Sequence, residues 1–124
     1  MANMTEKELL DRTKTFALRV IKLVNALPAN TAGRTIGGQL LRSGTSVAAN
    51  YRAACRGRSK AEFIAKLGIV EEEADESCLW LELIIESKLM EEKLALPLLK
   101  EARELTAIMA ASKMSARRRS QVAN

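Results

Sequence analysis

Residues 59–88 read SKAEFIAKLGIVEEEADESCLWLELIIESK. Within that stretch Phe63, Leu67, Val70, Ala74, Cys78, Leu81 and Ile85 recur at intervals of four, three, four, four, three and four. An α-helix turns once in about 3.6 residues, so this spacing keeps one stripe pointed at a core. A strand would alternate in twos, and no such alternation is present. Ser59 and Glu62 form a capping box, a hydroxyl that accepts from the helix's first turn with a carboxylate three residues on. The spacing predicts a helix from Ser59 to about Lys88.

The same reading extends in both directions. Upstream, Thr5 and Glu8 repeat the capping pattern. Leu9, Leu10, Phe16, Val20, Leu23, Val24 and Leu27 then give a helical stripe that Pro28 stops. Ala29 to Gly33 connects to a second helix with a stripe of Ile36, Leu40, Val47 and Tyr51. That helix is crowded with small residues, among them Gly37, Gly38, Ser43, Gly44, Ala48 and Ala54. Glycine inside a helix costs about 1 kcal/mol against alanine, and close approach by a neighbouring helix would offset it. Arg56-Gly57-Arg58 ends the second helix. Downstream, Leu94, Leu98, Leu99, Ala102, Leu105, Ile108 and Met109 predict a fourth helix from about Glu91 to Ser112, with Pro97 tolerable only in its first turns. The expectation is one all-α domain, residues 1–112, an antiparallel up-down-up-down four-helix bundle. A basic tail, residues 113–124, is expected to fray.

Composition agrees. Of 124 residues, 48% are hydrophobic but only 3% aromatic, so the core must be aliphatic. Six glycines and two prolines supply too few turns for a sandwich of many short strands. Cys55 and Cys78 are too few for a disulfide framework and lack metal-ligand spacing, which fits buried thiols in a reducing compartment. The charged start, Met-Ala-Asn-Met-Thr-Glu-Lys-Glu, is unlike a signal peptide. The longest strongly apolar run, Leu79 to Ile85, falls far short of the ~20 residues that span a bilayer. A cytoplasmic protein without a membrane partner is expected.

Leu79-Trp80-Leu81-Glu82-Leu83-Ile84-Ile85 covers nearly the whole circumference of its helix. One stripe satisfies a core. Leu79, Trp80, Leu83 and Ile84 are therefore expected to form a self-association interface. The alternative is a helix buried on more than one side within its own bundle.

Charge is segregated. Between Arg12 and Ala61 lie ten basic residues and no acidic one; between Glu62 and Glu104 lie twelve acids and five bases. The last stretch adds Lys113, Arg117, Arg118 and Arg119, and the net charge is +5. At about 100° per residue, Arg42, Arg52 and Arg56 share one arc, which Arg58 and Lys60 extend. Such a patch can neutralise phosphates, and the planar arginine fork suits them. The competing reading pairs these arginines with the acidic run Glu71 to Glu76 on the next helix or subunit. Aromatic side chains for base stacking are missing nearby apart from Tyr51, so the expected target is an RNA or DNA backbone.

Catalysis has little support. There is no histidine, which removes the commonest general base and metal ligand. Glu72, Glu73 and Glu76 do carry the E-E-x-x-E spacing with which all-α nucleotide pyrophosphatases hold Mg²⁺. No aspartate follows Asp75, so the second acidic pair of such a site is missing. The primary expectation is a non-enzymatic protein without a cofactor. A protein-interaction scaffold without nucleic-acid affinity is the alternative, and a Mg²⁺-dependent nucleotide hydrolase the weaker one.

The block Gln39-Leu40-Leu41-Arg42-Ser43-Gly44-Thr45-Ser46-Val47-Ala48-Ala49-Asn50, followed by Arg58-Ser59-Lys60-Ala61-Glu62-Phe63, resembles a bacterial family of four-helix-bundle proteins. That family is named for members encoded within intervening sequences of 23S ribosomal RNA genes. The likeness runs from about Thr5 to Ser112. It implies a homopentamer, kinship with the basic, nucleic-acid-binding accessory variability determinant of diversity-generating retroelements, and no established enzymatic activity. It marks Arg42, Ser43, Ser46, Asn50, Arg58, Ser59, Glu62 and Phe63 as signature residues. Ser46 and Asn50 are expected to hydrogen-bond between helices. After Asn50 the sequence departs from the family's pattern: an acidic position has become apolar, and Arg52 and Arg56 add positive charge.

Overall fold

A computed structural model describes residues 4–123, and within them the chain forms four helices and no strand. They are α1 (Glu6–Asn25), α2 (Thr31–Cys55), α3 (Lys60–Glu86) and α4 (Glu92–Ala123). Each of the first three starts on a side-chain cap. Thr5 Oγ1 accepts from Glu8 N–H at 3.1 Å, Asn30 Oδ1 from Gly33 N–H at 2.7 Å, and Ser59 Oγ from Glu62 N–H at 3.1 Å. These bonds satisfy donors that the first helical turn leaves unpaired.

Cross-helix pairs fix direction. Val20 faces Gly44 while Val24 faces Gly37, so α2 numbering falls as α1 numbering rises. Glu82, Cys78 and Glu71 of α3 meet Arg103, Thr106 and Lys113 of α4 in the same opposed order. Short connections then run neighbours antiparallel around the bundle. Chain neighbours share long seams; α1 and α4 close the ring over a much shorter one.

The core is aliphatic, as composition requires. Phe16, Val20, Leu40, Val47, Leu67, Val70, Leu81, Ile84, Leu105 and Met109 are fully buried. The glycines of α2 divide by neighbour. A Cβ on Gly44 would stand 2.7 and 2.9 Å from the two Val20 methyls, whereas one on Gly38 would meet nothing within 4 Å. Close approach of α1 therefore explains Gly44 and leaves Gly38 without a packing role.

Two boundaries differ from expectation: α2 already begins at Thr31, within the expected connection Ala29–Gly33, because Asn30 caps it, and α4 ends later. The α4 helix does not stop at Ser112; the basic segment continues it to Ala123. No Gly or Pro interrupts that segment, Ala116 is fully buried, and Lys113 reaches Glu71 at 2.8 Å. Pro97 is the sixth residue of α4, just past the N–H groups that a helix start leaves free, so it forgoes one carbonyl–amide bond. At the other end of the α3–α4 connection, Lys88 takes φ 60°. Lys88 N–H bonds Ile85 C=O and Leu89 N–H bonds Ile84 C=O, the paired closure of a Schellman motif with lysine where glycine is usual.

Candidate functional site

Arg42 does not join a free basic patch. Its Nη1 donates to Glu73 at 2.9 Å and its Nη2 to Glu76, both across the α2–α3 seam. Glu76 also accepts from Trp80 Nε1 at 3.0 Å. That bond, with the Arg42 guanidinium beside it, holds the Glu76 carboxyl below its usual range, and the two carboxylates hold Arg42 above its own. The sequence places Arg42 on the arc of Arg52 and Arg56; the structure turns its long side chain onto α3, because unpaired acids lie within reach there.

Beneath this clamp the seam is sealed. Ser43 and Ser77 are fully buried and share a hydrogen bond at 2.8 Å, while Ser77 also donates to Glu73 C=O. Ser46 and Asn50 do not bridge helices: Asn50 Nδ2 donates to Ser46 C=O and Oγ one turn back. Most of the signature block is therefore helix-seam and capping chemistry.

The same pairing bears on metal chemistry. Glu73 and Glu76 turn toward Arg42, whereas Glu71 turns the other way toward Lys113. Among the described residues no three metal-liganding side chains gather. The E-E-x-x-E spacing puts its carboxylates on one helix without converging them on an ion.

The other four predicted cations behave differently. Arg52, Arg56, Arg58 and Lys60 are exposed and make no ion pair among the described residues. They surround the end of α2 and the start of α3. The antiparallel register brings the last turns of α4 to the same pole: Arg119 lines one cavity with Tyr51 and Phe63. Arg117, Arg118 and Arg119 are exposed and likewise make no ion pair among the described residues. Seven exposed cations thus belong to the element ends at this side of the bundle, with Arg119 placed beside Tyr51 and Phe63. The nearby acids are Glu62, whose carboxylate accepts from Arg58 N–H at 3.3 Å, Glu6 and Glu104 on the cavity wall, and Glu8 and Asp11 in the first turns of α1. Charge runs at residues 52–60 and 117–119 are visible in sequence, but their placement at one side requires α4 to run its full length.

The cavity, of about 630 Å³, lies between the first turns of α1 and the later half of α4. Its walls are mainly Leu9, Tyr51, Phe63, Leu67 and Ile108. Tyr51 is buried and its phenol is pushed up by desolvation, so it stays protonated and offers no free face to a base. Burial pushes the Cys55 and Cys78 thiols up as well.

The proposed interface residues also separate. Ile84 is fully buried in the core and belongs to no outer surface, because it lies on the same side of α3 as Leu81 and Ser77. Trp80 is half-buried, tied to Glu76. Leu79 and Leu83 remain exposed, 47% and 38%. No described helix is long and apolar enough to cross a membrane.

A sequence model of the 23S rRNA-intervening sequence protein family matches residues 5–111. Among solved structures, the chain is similar to a protein of unknown function from the S23 ribosomal protein family of Bacteroides thetaiotaomicron. Identity is 31% and the TM-score 0.83, over 90% of this chain and 99% of that one. No curated protein matches.

Proposed function

The chain belongs to the 23S rRNA-intervening sequence protein family, and from that premise we propose that it is a non-enzymatic, self-associating protein that binds nucleic-acid backbones through its basic pole. The observation that carries this reading is that Arg52, Arg56, Arg58 and Lys60, with Arg117, Arg118 and Arg119, are exposed at element ends on one side of the bundle. These side chains form no ion pair among the described residues, so a phosphate would not have to displace a carboxylate. With Tyr51 buried, recognition rests on phosphates and on duplex or folded shape rather than on stacked bases. A homopentamer would repeat the pole around an axis and multiply the contacts. The protein would act in the cytoplasm, where Cys55 and Cys78 stay reduced.

The test is fluorescence anisotropy with a structured RNA and a duplex DNA across a salt series. Affinity should fall steeply as salt rises, because phosphate contacts release counterions. The quadruple variant R52E/R56E/R58E/K60E should lose binding by at least about 100-fold at low salt. Unchanged binding by that variant would end the proposal. Absence of wild-type binding at low salt would turn the assignment to the scaffold alternative, with the pole meeting acidic protein surfaces.

A further inference from the structure

The cavity beside the first turns of α1 is completed by a segment outside the shared domain. The family match covers residues 5–111, whereas α4 runs on to Ala123. Three of the lining side chains, Ser112, Ser115 and Arg119, belong to that continuation. Spaced by three and four residues, they stand on one face of α4, in line with Ile108 and Ala111 before them. One helical stripe thus passes from apolar to polar along the cavity. From Ile108 to Arg119 it runs about 16 Å at 1.5 Å per residue.

The charges on the other walls do not cancel this gradient. Arg12 gives its guanidinium to Glu101 at 2.7 Å and to Glu104 at 3.2 Å, so the end away from Arg119 offers no unpaired cation. Glu6 also lines the cavity, but the antiparallel α1–α4 register sets it apart from Arg119. Six residues back along α1 from Arg12 correspond to six residues on along α4 from Glu101 and Glu104, the level of Ala107 and Ala110. Arg119 stands nine residues past Ala110, about 13 Å further along the axis and beyond a Debye length at 0.1 M salt. Arg119 makes no ion pair among the described residues, and neither serine hydroxyl makes a hydrogen bond there.

From this gradient we propose that the cavity binds a free medium-chain fatty carboxylate. The alkyl chain lies among Leu9, Phe63, Leu67 and Ile108, and the carboxylate sits on Arg119 with the Ser112 and Ser115 hydroxyls beside it. A volume of about 630 Å³ suits a small ligand, as do mainly apolar walls with a few convergent polar groups. The planar guanidinium fork matches a carboxylate. Aliphatic walls and a buried Tyr51 give an alkyl chain a better fit than a nucleobase. The site is separate from the nucleic-acid reading, since none of Arg52, Arg56, Arg58 and Lys60 lines it.

The experiment is isothermal titration calorimetry on the full chain with octanoate, decanoate and dodecanoate, each below its micelle concentration, and with decylammonium as the charge-reversed probe. One carboxylate should bind per subunit. Affinity should rise roughly fourfold per added methylene until the cavity is full. Decylammonium should bind at least about tenfold more weakly than decanoate. Arg119→Gln should weaken decanoate at least about tenfold and leave decylammonium unchanged. Ala111 is exposed on the cavity wall, so Ala111→Phe should fill the space and abolish binding of every probe while circular dichroism keeps the wild-type helix content. The quadruple variant R52E/R56E/R58E/K60E should still take decanoate. No heat with any carboxylate would overturn the proposal. Equal binding of decylammonium, or decanoate binding that Arg119→Gln leaves unchanged, would reduce it to adsorption on apolar surface and overturn it as well.

Discussion

Arg42 and Arg52 belong to one helix, yet their surroundings separate them. Arg42 sits at the middle of the α2–α3 seam, where Glu73 and Glu76 take its guanidinium. Arg52 stands near the end of α2, exposed, with no carboxylate paired to it among the described residues. The seam has acids facing it from the next helix; at the pole the acids present, Glu6 and Glu62 among them, make no ion pair with Arg52. An arginine is thus a structural clamp or an available cation according to what the neighbouring helix presents. The residue type alone does not decide.

The contrast should show most strongly in stability. Leu40 is fully buried below the clamp, and Leu40→Ala should cost about 2–5 kcal/mol in chemical denaturation. Single alanine replacements of Arg56 or Arg58 at the pole should change stability by no more than about 0.5 kcal/mol. A pole replacement as costly as Leu40→Ala would break the distinction.

The glycines give a smaller and sharper pair. Gly44→Ala pushes a methyl against Val20, an overpacking worth about 1–3 kcal/mol, partly offset by alanine's helix preference of about 1 kcal/mol. Gly38→Ala has open space and should stabilise by up to about 1 kcal/mol. Equal shifts for the two would mean that the seam is looser than its geometry.

Arg42→Ala should lower the melting temperature more than Arg52→Ala does, and should alter Trp80 emission by releasing Glu76. Identical melting shifts and an unchanged spectrum would reduce the clamp to a surface ion pair. The smallest effect is in pH. The folded state depresses the Glu76 pKa, so its contribution is present above the ordinary carboxylate range and lost as pH falls through the folded value. Trp80 emission should hold steady on acidification and change with a midpoint below 4.5, the ordinary value for glutamate. Arg42→Ala should move that midpoint upward. A midpoint above 4.5 in the unsubstituted protein would contradict the pairing.

Much of the fold is legible because local rules act alone. Thr5 with Glu8 and Ser59 with Glu62 announce helix starts, and the caps form there. The α3 stripe from Leu67 to Leu81 is read directly from spacing, and it is buried. Asn30 carries no such signal, because Gly33 rather than a carboxylate follows it three residues later. The end of α4 is less legible: arginines and polar residues resemble a frayed tail until α3 supplies Glu71 to Lys113 and the fold buries Ala116. Ile84 was misplaced because a run apolar all round does not show which side faces inward. The candidate site divides likewise. The cations themselves are plain in the sequence, but Arg42's capture and the placing of Arg119 beside Tyr51 and Phe63 depend on register between helices, which no single helix encodes.

The short α1–α4 seam also bears on how the chain reaches its folded state. Each long seam joins elements adjacent in the chain, so three helical hairpins can assemble from near neighbours. Closing the ring requires Arg12 to find Glu101 and Glu104, 89 and 92 residues away. Mostly local contacts favour fast folding, on the order of microseconds to milliseconds for helical bundles. The α1 start, with its late-forming clip and open cavity, should then be the first part to exchange amide hydrogens with solvent.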